Sequence, residues 1–159
     1  MTKLNKIIAV LALMAFLLVP TQSAQAQGSS DTGKIVFGQN YTLDSGETLA
    51  GDLVVFGGNV KIEKEATVEG SVVVFGGNID MAEAATITGD TAMIGGNMKV
   101  SGIVDGDMFI LGGQISLSKT AVVHGDISSM GGEVDVDPKA QVDGNIHENV
   151  TAPTVQIPT

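Results

Sequence analysis

A nine-residue segment, Gly51-Asp-Leu-Val-Val-Phe-Gly-Gly-Asn59, recurs as Gly70-Ser-Val-Val-Val-Phe-Gly-Gly-Asn78, and again from Gly89, Gly106 and Gly125. Successive copies start 19, 19, 17 and 19 residues apart, and Gly144 follows Gly125 by another 19. A degenerate earlier copy, Val36-Phe-Gly-Gln-Asn40, lies 19 residues before Val55-Phe-Gly-Gly-Asn59. A unit this short leaves an apolar face uncovered, and only stacking of successive units supplies a core. The chain is therefore expected to be a solenoid.

Within one unit the pattern predicts three short strands, Asp52 to Phe56, Asn59 to Glu63 and Ala66 to Glu69. Gly51 and Gly57-Gly58 mark two of the corners, where a backbone needs positive φ or close approach to its neighbour. The 17-residue unit loses two residues at the third corner, beside Ser101-Gly102, where strand register elsewhere is untouched. Column composition agrees. Val60, Ile79, Met98, Ile115 and Val134 form one apolar column; Ile62, Met81, Val100, Leu117 and Val136 form a second; Val68, Ile87, Val104, Val123 and Val142 form a third. Between them stand polar residues such as Asn59, Lys61, Glu63 and Thr67, the period-two alternation of a strand with one face buried. The expected fold is all-β: a single-stranded right-handed parallel β-helix of about six triangular 19-residue coils over residues 35–149. At about 4.8 Å per coil it would stand roughly 30 Å tall.

The N-terminus reads as a secretory signal. Lys3 and Lys6 precede an apolar run from Ile7 to Val19, which falls short of the about 20 residues that span a bilayer. Ala24-Gln25-Ala26 supplies a small-x-small cleavage pattern, so cleavage is expected after Ala26. Residues 27–34 form a polar segment, residues 35–149 the repeat domain, and residues 150–159 a tail. Pro153 and Pro158 cannot donate ladder bonds, and Val155 and Ile157 alternate, so the tail is expected to cap the solenoid. No transmembrane span is expected after cleavage, and the protein is expected in the periplasm or at the cell surface. With no cysteine, no disulfide holds the fold.

Cleavage would remove two lysines and no acid, taking the formal charge from −10 to −12. The chain has no arginine, so neutralisation of nucleic-acid phosphates is disfavoured.

The Gly-Asp/Ser corners, the Val-Phe-Gly-Gly-Asn segments and the three short strands per coil resemble those of the bactofilins, polymer-forming bacterial cytoskeletal proteins with a right-handed β-helical core. The resemblance covers roughly residues 35–148. It implies a structural protein whose partner is itself or another envelope protein. This chain departs from the family in carrying an export signal, because bactofilins are cytosolic.

Three constellations could carry chemistry. Asn40, Asn59, Asn78 and Asn97 stack in one column, followed by Gln114 and Glu133, and are expected to form a structural amide ladder along the axis. The corner before strand one is acidic. Coiling aligns Asp90, Asp107 and Asp126, whose like charges repel unless backbone amides, water or a cation compensate them. Asp105, Asp107 and Asp126 are candidate calcium ligands, with solvated turn aspartates as the competing reading. No other cofactor is expected. His124 and His147 are the only histidines. No nucleophile motif accompanies them, and the short corners leave no wall for a cleft, so the protein is read as non-enzymatic. An extracellular binding or adhesion module, stabilised by calcium, is the alternative to a scaffold.

Strand one is apolar on both sides. Taking the uniformly large Phe37, Phe56 and Phe75 column as inward places Leu53, Val55, Val72, Val74, Met93, Met108, Ile110 and Ile127 outward, as an association strip. The reversed facing exposes Val54, Phe56, Val73, Phe75, Phe109 and Leu111 instead. Either strip suits burial against a second surface.

Overall fold

The computed structural model describes residues 33–148. The expected signal, residues 1–26, and the expected cap, residues 150–159, lie outside them. The described residues contain fifteen strands and no helix. They are β1 (Lys34–Phe37), β2 (Tyr41–Leu43), β3 (Thr48–Leu49), β4 (Leu53–Phe56), β5 (Val60–Ile62), β6 (Thr67–Val68), β7 (Val72–Met81), β8 (Thr86–Ile87), β9 (Thr91–Val100), β10 (Ile103–Val104), β11 (Met108–Leu117), β12 (Val122–Val123), β13 (Ile127–Val136), β14 (Gln141–Val142) and β15 (Ile146–Glu148).

Every pairing is parallel, and each residue pairs with its equivalent one repeat away. Val55 lies beside Val74, Val74 beside Met93 and Met93 beside Ile110. The chain is thus a β-solenoid of about six coils. Its first two strand positions share one nine-stranded sheet, and its third forms a six-stranded sheet. In the middle coils the first two strands run together as ten-residue strands that bend at the Gly-Gly corner. The shortened coil pairs in register on both sides of its deletion: Ile103 lies beside Thr86 and Val122, and Met108 beside Thr91.

The core is built from the expected columns of strands two and three. Val60, Ile79, Met98 and Ile115 are buried, as are Val68, Ile87, Val104 and Val123. Ala66, Ala85 and Ala121 fill the third corner, where Gly102 takes the equivalent place in the short coil. A Cβ at Gly102 would press on the carbonyls of Ala82 and Ala85, which explains the loss of the methyl there.

On strand one the structure corrects the expected facing. Leu53, Val55, Val72, Val74, Met93, Met108, Ile110 and Ile127 are all in the core, none more than 1% exposed. The phenylalanine column points out. Side-chain size was the wrong guide, because strand one is apolar on both sides and size cannot choose between them. The corner chooses. Two glycines turn the chain between Phe56 and Asn59, and both flanking residues face out while Val55 and Val60 face in. Compact aliphatic side chains fill the interior, where the opposing columns leave little room. The rings stack freely outside.

Candidate functional site

The association strip is the outer side of strand one. Ile35, Val54, Val73, Ala92, Phe109 and Ser128 form one outward column, which ends on His147 in the last strand. Phe37, Phe56, Phe75, Ile94, Leu111 and Met130 form the next. Neither column holds a lysine, aspartate or glutamate, in a chain of formal charge −10 with histidine neutral. Phe37 is 66% exposed, and Ile94 and Leu111 about two-fifths. Three rings stack face to face along the axis, Phe37 on Phe56 at 5.0 Å and Phe56 on Phe75 at 4.7 Å, nearly parallel. Identical side chains one coil apart are held in this geometry by the β-ladder, so stacking costs little further ordering.

Two polar ladders bound this face. At the corner after it, Asn59 Oδ1 accepts both the backbone N–H (3.2 Å) and the side-chain amide (2.9 Å) of Asn78. Asn40 does the same for Asn59, and Asn78 for Asn97. These bonds give the corner amides an acceptor where the side-chain oxygen replaces a ladder carbonyl. The expected asparagine ladder therefore exists as a structural device, with Gln114 and Glu133 continuing the column in register. Over Asn78, Asp80, Asn97, Lys99, Gln114 and Ser116 lies an open depression of about 230 Å³.

At the corner before the face runs a second ladder. Asp52 Oδ1 accepts the Ser71 N–H at 2.8 Å, and Ser71 Oγ accepts the Asp90 N–H at 3.2 Å. Asp90 then accepts from Asp107 at 2.9 Å, Asp107 from Asp126 at 2.8 Å, and Asp126 from Asn145 at 2.7 Å. Backbone amides thus compensate the aligned carboxylates. The spacing Gly-Asp at every 17 to 19 residues was the available sequence signal for this ladder.

The structure does not gather the candidate calcium ligands into one set. Asp107 and Asp126 belong to the ladder. Asp105 stands two residues before Asp107, across Gly106, where its Oδ1 lies 3.7 Å from His124 Nε2. Among the described residues no group of three or more His, Asp or Glu is placed to hold a metal ion.

His124 is instead sandwiched between coils. Its Nδ1 lies 2.6 Å from Asp143 Oδ2, and since an ionised carboxylate only accepts, Nδ1 carries the hydrogen. Gln141 Nε2 donates to the other oxygen of Asp143 at 2.9 Å. These two hydrogen bonds, that of His124 foremost, hold the Asp143 carboxyl below its ordinary range. All three side chains are exposed, so the cluster is a surface clasp between coils. In the sequence His124 is one of two histidines with no motif beside it, and its spacing of 19 to Asp143 becomes a contact only once coils stack.

At the first coil, a cavity of about 360 Å³ is lined by Lys34, Tyr41, Leu43, Glu47, Thr48 and Leu49. Lys34 Nζ sits 4.7 Å above the Tyr41 ring. No helix among the described residues is long and apolar enough to cross a membrane.

Fold and surface together define a small β-solenoid with one charge-free apolar face. Comparison with protein-family models, curated proteins and solved structures finds no match for the chain.

Proposed function

We propose that the protein is an exported, non-enzymatic structural module of the cell envelope that self-associates through its apolar solenoid face or its ends. One observation carries the reading: the outward columns of strand one combine exposed phenylalanine, isoleucine and leucine with no charge. Apolar surface in that arrangement is unfavourable in water and is usually covered by a partner. The rest of the surface is acidic and repels other copies, so the charge-free face is where two copies approach at least electrostatic cost. The bactofilin-like coil pattern supports the same reading, as does the signal-like N-terminus for export.

Light scattering on the chain from Gln27 onward, across micromolar to millimolar concentration, tests it. A mass that rises with concentration is expected; a monomer throughout would sink the proposal. Mass analysis of the exported protein tests the export half, with Gln27 expected as the first residue.

A further inference from the structure

The apolar face has a shape as well as a polarity. In its first outward column the smallest side chain, Ala92, lies in register beside the largest, Phe109, with Val73 before them and Ser128 after. Notch and knob are therefore one coil apart. We infer that this face pairs with the same face of a second copy, solenoid axes antiparallel, so that each Phe109 seats in the partner's Ala92 notch. The inference rests on the self-association reading above and specifies which surface and which orientation it uses.

A two-fold axis along the strand direction, passing between the coils of Ala92 and Phe109, brings each outward column against its own reverse. Ala92 then meets Phe109 of the partner twice, Ile94 meets Leu111, and Val73 meets Ser128. Large faces small at the central pair, while the second column sets apolar on apolar, Ile94 on Leu111 and Phe75 on Met130, so the two sheets pack near the separation of about 10 Å that face-to-face sheets adopt. Such an interface is isologous, the form that closes a dimer. Parallel axes give a worse match: Phe109 would face Leu111 and, one coil away, Ala92 would face Ile94. Large would meet large beside small on medium, and the gap would be uneven. A knob that fits a notch on its own surface also favours a second copy over an unrelated partner, for which no such internal match is needed.

The antiparallel arrangement sets the acidic ladder of one copy opposite that of the other. Asp90, Asp107 and Asp126 sit at the corner, beyond the edge of the face, where the two rows stand more than about one Debye length apart at physiological salt. Their mutual repulsion is therefore largely screened already, and salt added above the physiological level should change association little. The two-fold overlaps the coils from Val54 to His147 and leaves Ile35 and Phe37 outside, so the shared face is no larger than about 30 Å by 13 Å, roughly 400 Å² per copy. That is half the roughly 800 Å² per partner of a standard interface, so a reversible dimer in the micromolar range or weaker is expected.

The test is a knob-and-notch exchange read by sedimentation equilibrium, with circular dichroism as a fold control. A92F and F109A should each weaken association about tenfold or more, since each alters two contacts per dimer. The double variant A92F/F109A moves the knob to the other coil and should recover to within about threefold of the parent. A92L with F109A replaces that pair if phenylalanine at position 92 disturbs the coil. Singles that associate like the parent, or a double variant no better than its singles, would overturn the inference while leaving association through the ends intact. A parent chain that stays monomeric at every concentration and salt level would overturn both.

Discussion

Gly77 stands against the carbonyl of Gly58, its equivalent one coil earlier, so closely that a Cβ on Gly77 would overlap that oxygen, far inside van der Waals contact distance. A Cβ on Gly76 meets nothing within 4 Å. The two glycines of each corner therefore have different duties. Gly76, at φ +68, supplies left-handed backbone. Gly77 permits the coils to approach. Gly76→Ala should cost about 1 kcal/mol, the left-handed penalty partly offset by a stiffer unfolded chain. Gly77→Ala must push apart two coils whose strands are hydrogen-bonded, and should cost about 3 kcal/mol or more. Urea unfolding of both variants compares them; equal costs would refute the division of labour.

The facing of strand one gives a second contrast. Val55 is fully buried, whereas Val54 is partly exposed on the outer face. Lysine at position 55 would place a charge in a core with no partner, a cost of several kcal/mol that the group escapes only by losing its proton. Val55→Lys should unfold the domain, and Val54→Lys should leave it folded with weaker association. Circular dichroism and light scattering separate these outcomes. A folded Val55→Lys variant with an unchanged spectrum would contradict the assigned facing.

These contrasts show which parts of the fold were legible in the sequence. The period located the coils, the strand-two and strand-three columns and the two-residue deletion, because alternation there is apolar against polar. Strand one lacks that contrast. Val54 and Val55 are the same residue, and only the corner geometry tells them apart. The third corner hid a feature for a related reason. Gly46 occupies a left-handed position there, but Glu65 (φ 63) and Ala84 (φ 59) take the same conformation without being glycine. The asparagine ladder was legible because amides stack only if register holds. The His124–Asp143 clasp was not, since single residues a repeat apart carry no pattern.

Two buried hydroxyls offer a gain in stability. Thr91 Oγ1 and Ser129 Oγ are enclosed and have no hydrogen-bond partner. Thr91 stands in its column between two buried apolar side chains, Val72 and Met108. Valine matches threonine in shape and removes the unsatisfied group, so Thr91→Val should stabilise the domain by about 1 kcal/mol. That corresponds to a rise in Tm of roughly 3–6 °C for a domain of this size. Ser129→Ala should act in the same direction, by less, because alanine leaves a small void. Thermal unfolding provides the measurement, and a destabilised Thr91→Val would mean that the hydroxyl is satisfied in solution.

The His124–Asp143 clasp predicts a pH dependence with a definite sign. Hydrogen bonds from His124 and from Gln141 lower the Asp143 pKa in the folded chain. In the unfolded chain the carboxyl titrates near its ordinary value, about 3.9. The folded state thus binds the proton less readily than the unfolded state. The contribution is fully present above the unfolded pKa and is lost as pH falls through the lower folded value. Asp143→Asn removes the charge but keeps an oxygen acceptor and the size of the side chain. The parent should therefore be more stable than Asp143→Asn from neutral pH down to about pH 4, and the gap should close in stronger acid. Urea unfolding at pH 7, 5, 3 and 2 measures the gap. A difference that stays constant over that range would show that the ionised carboxylate contributes nothing, and that the contact between the two coils is steric alone.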